Sequence, residues 1–393
     1  METPSQQLAK HYVVVAESSS VCVDPGDRLV SDAPSLERTA DGTLLCAVPW
    51  LVRPDNRAVL QFHHSDDSGR SWNRLPAESA FHCGRLIPQG DTLYFLGAGP
   101  TRGDGVQIIR SDDMGRSWSD PVELFEGGHY NAGGAYVVRD GTLYWCFGAV
   151  NDEGAFNGKG SRTVAIAADF SRDLTDPDAW RRSEYLRYPG TPDSLRRGLN
   201  DRPGEPYHDH WLEGNVVQVQ GRLRVCWRTR IDGYATAGIS AICDLEDDGE
   251  RLSYRFAQFH PWPGAQNQFN IVRDEREGLF WMTANLPTRS QDTRLAERLA
   301  TDDSFSGTPG NERRILALLC SFDALNWLPV GYVIVWPLLR QASNYAGLMI
   351  DGDDLLVVSR TARDAPNQHD NDLVTFHRVE QFRALAELLK PTQ

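Results

Sequence analysis

The sequence contains no apolar run long enough to cross a membrane, and its first residues form neither a basic start nor the apolar core of an export signal. Its seven cysteines are scattered, odd in number and without a Cys-x-x-Cys pair. Such usage disfavours a disulfide framework and a cysteine-based zinc site. These absences predict a soluble, cytoplasmic protein with reduced thiols and no membrane partner.

An excess of positive charge is also missing, since the 393 residues carry a formal net charge of −14. A nucleic-acid partner is not expected, because neutralising phosphates requires clustered lysine and arginine. An acidic ligand would have to be held by a local group of cations, against the long-range repulsion of the whole chain. The length and the 40% hydrophobic content allow either two domains or one repeat architecture.

One eight-residue pattern, Ser-x-Asp-x-Gly-x-Ser-Trp, occurs twice, at residues 65–72 and 111–118. Its aspartate and serines can bind local backbone N–H groups, its glycine permits a tight turn, and its tryptophan packs on the adjoining sheet. A shorter copy without the glycine lies at 321–327. A turn of this kind recurs where one supersecondary unit is copied around a larger assembly.

A second repeat consists of a glycine-containing turn between two short β-rich runs, which predicts a hairpin. It occurs six times, and the gaps between turns, about 49, 50, 81, 56 and 75 residues, fit four-stranded propeller blades with some long loops. The six turns are Asp41-Gly42, Gly90-Asp91, Asp140-Gly141, Gly221-Arg222, Glu277-Gly278 and Gly352-Asp353. We therefore predict an all-β, six-bladed β-propeller as a single domain over 1–393, with blades at about 30–390 and a short C-terminal helix from Val379 to Leu389.

These turns on six hairpins resemble the sialidase superfamily of six-bladed propellers, also called BNR-repeat or Asp-box proteins, over residues 30–380 or so. The pattern is specific for the fold and not for an activity. The resemblance implies a tyrosine nucleophile activated by a glutamate, an aspartate acid/base and three arginines that bind the substrate carboxylate. A neutral phenol suits this role because it approaches an anionic anomeric centre with less repulsion than a carboxylate would.

The residues that match these roles are spread over the chain. Glu213 and Arg228 lie on one hairpin, as the sialidase glutamate and second arginine do, and either Arg313 or Arg314 takes the place of the third arginine. Tyr345 precedes the last hairpin, in the place of the nucleophile. Guanidinium groups bind carboxylates in a bidentate manner, which suits the arginines to this task. Each residue also has a plain structural alternative, such as a core aromatic for the tyrosine and a turn cap for the glutamate.

The segment Arg53-Pro54-Asp55-Asn56-Arg57 takes the place of the acid/base, with Asp55 as the proton donor. Where the family has its first arginine, this chain has Asp32. A carboxylate there repels an acidic sugar by an energy on the order of a few kcal/mol at close range, unless Arg53 or Arg57 compensates. The prediction is therefore a sialidase-like protein and not a true sialidase, and the segment after Tyr345 is similar to bacterial sialidase-like proteins.

Several histidines are further candidates. His82 and His129 stand just before inner strands, which would place them near the propeller axis as proton-transfer or substrate-binding groups. His208 and His210 alternate as metal ligands can, but no third ligand lies at a diagnostic spacing. The sequence thus predicts neither a metal site nor a cofactor.

Taken with the resemblance, these residues predict an exo-acting glycoside hydrolase that removes a terminal, acidic sugar from an oligosaccharide. A first alternative is a lyase on a uronate-containing linkage such as rhamnose–glucuronate, in which histidine or tyrosine removes the proton at C5. A second alternative is a glycan-binding propeller without catalysis.

Overall fold

The computed structural model describes residues 7–20, 27–54, 56–101, 103–155, 160–196, 209–231, 238–290 and 309–390. Strands dominate these residues and form six antiparallel sheets that follow one another along the chain. The predicted six-bladed β-propeller is confirmed.

The first strand, β1 (Tyr12–Glu17), belongs to the last blade, and the first three blades follow it in chain order. Blade one contains β2 (Arg28–Ser31), β3 (Ser35–Arg38), β4 (Leu44–Arg53), β5 (Arg57–Ser65) and β6 (Asn73–Ser79). Blade two contains β7 (Cys83–Gln89), β8 (Thr92–Ala98), β9 (Val106–Ser111) and β10 (Val122–Phe125). Blade three contains β11 (His129–Tyr130), β12 (Val137–Arg139), β13 (Thr142–Ala149), β14 (Arg162–Asp169), β15 (Trp180–Arg182) and β16 (Leu186–Arg187).

The remaining blades are regular four-stranded sheets. Blade four contains β17 (His210–Val219), β18 (Arg222–Arg230), β19 (Ile239–Asp247) and β20 (Leu252–Pro261). Blade five contains β21 (Phe269–Arg273), β22 (Phe280–Asn285), β23 (Ile315–Ser321) and β24 (Leu328–Val335). Blade six contains β25 (Ala342–Asp351), β26 (Asp354–Ala362) and β27 (Leu373–Val379), with β1 as its outer strand.

The ring is closed by antiparallel pairing of β1 with β27, in which Val14 stands opposite Thr375. The blades therefore begin at Tyr12 and not near residue 30 as predicted. The sequence did not reveal this because one strand of the last blade comes from the other end of the chain. Closure leaves blade six with four strands and covers the edge that β27 would otherwise expose.

Helices are short in the described part of the chain, and each is too short or too polar to cross a bilayer. They comprise α1 (Asp193–Arg196) and 3-10 helices at Ser18–Ser20, Pro177–Ala179, Pro309–Asn311 and Phe382–Leu389. The last of these is the predicted C-terminal helix, but it is a 3-10 helix and begins three residues later than predicted. Val379, the predicted start, is still paired with Leu355 and ends β27.

Tryptophans anchor the second strand of four blades. Trp50, Trp145, Trp227 and Trp281 lie in β4, β13, β18 and β22, and all are fully buried. A buried tryptophan removes a large apolar area from water, which makes such side chains major contributors to a core. The blades are thus held together by packing between their middle strands, and the innermost strands are left to line the axis.

The repeated turns are stabilised by hydrogen bonds within each turn. In the first, Asp67 accepts hydrogen bonds from the backbone N–H of Ser71 at 2.9 Å and from its hydroxyl at 2.7 Å. These bonds, together with one from the Ser65 hydroxyl, hold the pKa of Asp67 at about 2. Gly69 in this turn has φ +90°, and a Cβ there would overlap the ring of Phe376 in blade six. The turns therefore contribute to the fit between adjacent blades.

A cavity of about 370 Å³ lies on the axis, lined by residues of the innermost strands of all six blades. Among its polar residues are Glu37 of β3, Arg85 of β7 and Tyr136, whose ring lies 5.2 Å from the Arg85 guanidinium carbon. Burial raises the pKa of Glu37 to about 7, although the charge of Arg85 acts in the opposite direction. A carboxyl group on the axis therefore titrates near neutral pH.

Replacing Glu37 with glutamine is expected to stabilise the protein at pH 8 and to leave its stability unchanged below about pH 4.5. The native state binds the Glu37 proton more tightly than the unfolded chain does, so wild-type stability falls as pH rises from about 4.5 to about 7. At pH 8 the variant should exceed the parent in unfolding free energy by about 1 to 3 kcal/mol, a value already reduced for the partial access of solvent to the carboxyl group. Denaturant unfolding at both pH values measures it, with Glu275→Gln at the cavity mouth as the control. A gain of equal size at both pH values would contradict the prediction.

Candidate active site

Two residues of innermost strands have unusual backbone conformations. Glu213 in β17 and Tyr345 in β25 both have φ +50°, and at each the pairing register with the second strand shifts. Positive φ is uncommon for residues other than glycine, and such positions cluster at functional sites. A bulge of this kind redirects a side chain that regular pairing would place elsewhere.

The two side chains meet in the interior. The Tyr345 hydroxyl donates a hydrogen bond to Glu213 Oε1 at 2.8 Å, and the other carboxylate oxygen accepts one from Arg228 Nη1 at 2.7 Å. Arg228 Nη1 also lies 3.2 Å from the Tyr345 hydroxyl. All three residues are at least 94% buried. The carboxylate is thus placed to accept the phenolic proton while Arg228 neutralises its charge.

Burial alone would lower the pKa of Arg228, but Glu213 and Tyr345 together raise it above its usual value. Arg228 is further fixed by a hydrogen bond from Nε to the carbonyl of Gln266 at 2.9 Å. A fourth residue joins the group, since the Tyr130 hydroxyl donates to Glu213 Oε1 at 3.3 Å. Glu213 is therefore the centre of a buried polar network with two phenols and one guanidinium.

Two more arginines face the ring of Tyr345. The guanidinium carbon of Arg360, in β26, lies 3.9 Å from the ring centroid, and that of Arg313 lies 5.3 Å away. Asn344 joins the two, because its side-chain oxygen accepts from Arg360 Nε at 2.7 Å and from Arg313 Nη1 at 3.2 Å. We call Arg228, Arg313 and Arg360 the arginine cluster. Arg228 lies in blade four, Arg360 in blade six, and Arg313 just before β23 of blade five.

Each member of the arginine cluster keeps one buried nitrogen without a hydrogen-bond partner among the described residues: Arg228 Nη2, Arg313 Nε and Arg360 Nη2. Arg228 is paired with Glu213 and Arg360 with Asp32, whereas the side chain of Arg313 binds only amide oxygens within the described residues. Burial lowers the pKa of Arg313 to about 9, and the other two arginines act in the same direction. The cluster therefore has spare donors and excess positive charge.

The neighbouring Arg314 turns away from this cluster. It donates to the carbonyl of Trp336 at 2.8 Å and to Glu312 at 3.2 Å. The sequence left open which of Arg313 and Arg314 faces the site, and the structure places Arg313 there.

Asp32 is buried between a guanidinium group and an imidazole. Its Oδ1 lies 3.4 Å from Arg360 Nη1, and its Oδ2 lies 3.4 Å from Nδ1 of His82. Oδ1 also accepts the backbone N–H of Ala33 at 2.8 Å. The imidazole of His82 packs edge-on to the ring of Tyr130, with 5.7 Å between centroids. The acidic residue that departs from the family pattern thus has an arginine of its own, and that arginine is neither Arg53 nor Arg57.

Arg53 lies at the end of β4, where it binds Asn56 and lies 3.6 Å from Asp370. Asp370 is buried and also accepts a hydrogen bond from Arg28 at 2.6 Å. Arg53 thus holds a turn against the loop before β27. Asp55, the predicted proton donor, lies outside the described residues.

The remaining histidines occupy different surroundings. His129 binds the carbonyl of Gly127 at 2.6 Å and the hydroxyl of Tyr185 at 3.1 Å within blade three, and burial lowers its pKa to about 4. His210 is buried at the start of β17, opposite Arg230. His208 lies outside the described residues. Among the described residues no three His, Cys, Asp or Glu side chains are grouped as metal ligands.

The sequence analysis did not identify Arg360 or Tyr130 as site residues, although a pattern in the sequence indicates Arg360. Arg228 follows Glu213 by fifteen residues and Arg360 follows Tyr345 by the same interval, and each arginine precedes a threonine. In both blades the arginine pairs with the residue just before the bulge, Leu212 or Asn344. The two pairs therefore occupy equivalent positions in blades four and six.

Solved structures with the same fold include sialidases and an arabinanase. The structure superposes on the sialidase of Trypanosoma rangeli in complex with 2,3-difluorosialic acid, with a TM-score of 0.59, 16% identity and 92% of this chain covered. A Hadza microbial sialidase gives 0.55, 15% and 90%. The α-L-arabinanase of Penicillium chrysogenum complexed with arabinobiose gives 0.56, 13% and 95%. At these identities the likeness establishes the fold.

The chain spans only part of the sialidases, 56% of the T. rangeli chain and 66% of the Hadza chain, but it spans 99% of the arabinanase. No protein-family model matches the sequence, and no curated protein matches it.

Proposed function

We propose that the protein is a sialidase-like glycoside hydrolase that removes a terminal acidic sugar from an oligosaccharide. The observation that carries this proposal is the arginine cluster, in which three buried guanidinium groups with spare donors surround a tyrosine paired with a glutamate. Arg313 makes no ion pair within the described residues, and a buried cation of this kind is costly, so the site suits an anionic ligand.

In the proposed reaction the arginine cluster binds the acidic group of the sugar and so fixes the anomeric carbon beside Tyr345. The phenolic oxygen attacks that carbon as the glycosidic C–O bond breaks and its electron pair passes to the leaving oxygen, while Glu213, 2.8 Å away, takes the phenolic proton. The arginines act as preorganised donors in a site that excludes water, where electrostatic stabilisation is strongest. Two of the superposed structures are complexes with difluorosialic acid and arabinobiose, which supports a sugar as the ligand.

One observation favours a lyase as the second candidate. Tyr130 provides another phenol 3.3 Å from Glu213, so a tyrosine with a nearby proton acceptor could take the C5 proton of a uronate held by the arginine cluster. Elimination would leave an unsaturated sugar, whereas hydrolysis would not.

The distinguishing experiment incubates the protein with aryl glycosides and oligosaccharides that end in sialic, glucuronic or galacturonic acid, and with oligosaccharides in which the uronate carries a sugar on O4, the leaving group that elimination needs. On the oligosaccharides, release of reducing sugar without an unsaturated, ultraviolet-absorbing sugar would support hydrolysis, and appearance of the unsaturated sugar would support elimination. Binding without turnover of any member would favour the glycan-binding alternative. Turnover restricted to neutral sugars would contradict the proposed role of the arginines.

Replacing Arg313 with methionine is expected to lower kcat/KM for an acidic substrate by about 10- to 100-fold, because a hydrogen bond to a charged group is worth about 1.5–3 kcal/mol. The adjacent Arg314→Met is the matched control and should retain nearly full activity. Arg313→Met should not destabilise the fold, since it removes a buried cation that makes no ion pair with the described residues. Equal losses for the two variants would contradict the assignment.

A further inference from the structure

The polar side chains around Tyr345 form a continuous path. From Tyr345 it passes through Glu213 and Tyr130 to His82, with separations of 2.8 Å, 3.3 Å and, between ring centroids, 5.7 Å. It returns from His82 through Asp32 and Arg360, and Arg360 lies against the face of Tyr345. His82 is thus the one imidazole of this path.

The surroundings of His82 suit proton transfer. Asp32 Oδ2 lies 3.4 Å from Nδ1, and a carboxylate at this distance favours the imidazolium over the neutral ring. Asp32 is itself buried and held by the N–H of Ala33 and by Arg360. A carboxylate beside an imidazole is a recurrent arrangement in general acid–base catalysis.

We propose that His82, positioned by Asp32, donates the proton to the leaving oxygen in the hydrolysis proposed above, on which this inference rests. The Tyr345 oxygen bonds to the anomeric carbon as the glycosidic C–O bond breaks. The electron pair of that bond goes to the leaving oxygen, which takes the proton of the His82 imidazolium, while Glu213 takes the phenolic proton. Water then attacks the anomeric carbon, gives a proton to His82, and releases Tyr345, which recovers its proton from Glu213.

This assignment explains the departure at Asp32. An arginine at that position would bind the substrate carboxylate directly, but it would leave His82 beside a cation. With an aspartate there, Arg360 supplies the third guanidinium from blade six, and the carboxylate serves the histidine. The substitution therefore changes the proton donor and keeps three arginines around the tyrosine.

The test compares two substrates of the same acidic sugar, an oligosaccharide with an alcohol leaving group and an aryl glycoside with an acidic phenol. His82→Gln is expected to lose about 100- to 10,000-fold in kcat/KM on the oligosaccharide, the usual contribution of a general acid. On the aryl glycoside it should stay within about tenfold of the parent, because an acidic phenol departs without a proton. Equal losses on both substrates, or none on the oligosaccharide, would overturn the assignment.

Two further variants separate the possible donors. Asp32→Asn should show the same leaving-group bias at smaller size, a pattern that a merely structural defect would not produce. If Asp55→Asn shows the bias and His82→Gln does not, the donor is Asp55 and the assignment to His82 is overturned. If the parent protein hydrolyses neither substrate of any acidic sugar, the proposed function itself is contradicted, and the role of His82 with it.

Discussion

Tyr345→Phe is expected to reduce kcat at least about 1000-fold on any substrate the protein hydrolyses, because the phenylalanine ring keeps the packing and loses the attacking oxygen. The ring contacts with Arg313 and Arg360 do not involve the hydroxyl, so substrate binding should change far less than turnover. Single-turnover kinetics and a binding titration measure the two effects separately.

Tyr332→Phe is the matched control for this change. Tyr332 lies in β24 on the outer side of blade five and pairs with Ala317. It should keep the parent activity. A Tyr345→Phe variant as active as the control would show that Tyr345 has only a structural role.

Arg228→Met is expected to cost about 3 to 5 kcal/mol of unfolding free energy, because Glu213 would remain buried without its cation. Adding Glu213→Gln should recover most of that loss, since the charge that needed a partner is then gone. Guanidinium chloride unfolding of the parent, both single variants and the double variant forms a thermodynamic cycle for the pair.

The control is Arg255→Met, which breaks an exposed pair with Glu246 on β19 and β20. An exposed pair of this kind contributes about 0 to 1 kcal/mol. If Arg228→Met is no more costly than the control, Glu213 does not depend on Arg228 for its charge. Every variant of the pair is also expected to lose activity. In the double variant the unfolding free energy should therefore recover while turnover stays low.

The fold was predictable because its signals are local and repeated. Each of the six hairpin turns has a glycine in its sequence, and in the structure those glycines have φ between +61° and +89°. Because few other residues adopt this conformation, the turn glycines can be counted along the sequence. No such residue pattern indicates β1, since its pairing with β27 is set by ring closure.

The site was predictable only where the family resemblance supplied positions. That resemblance pointed to Glu213, Arg228 and Tyr345, and the structure brings them within hydrogen-bonding distance. Arg360 was overlooked because the resemblance assigned no arginine to its position, although the fifteen-residue interval is visible in the sequence. Its contact with Asp32 depends on packing between blades six and one, which no local pattern encodes.

A shift of one residue along a strand decides which side chain faces the propeller axis, as His129 and Tyr130 show. The two residues are adjacent in β11, and successive side chains of a strand point to opposite sides. The sequence placed the histidine near the axis, but the tyrosine is the one that reaches Glu213. Without the pairing of β11 with β13, the phase of so short a strand could not be assigned.

The pairing of β1 with β27 has a consequence for biogenesis. On the ribosome, β1 is the first of these strands to emerge and β27 the last, so β1 has no partner strand until β27 has been made. During that time an unpaired strand edge is open to strands of other nascent chains, a known route to misassembly. The protein's yield in a cell is therefore expected to depend on chaperone capacity more than its final stability would suggest.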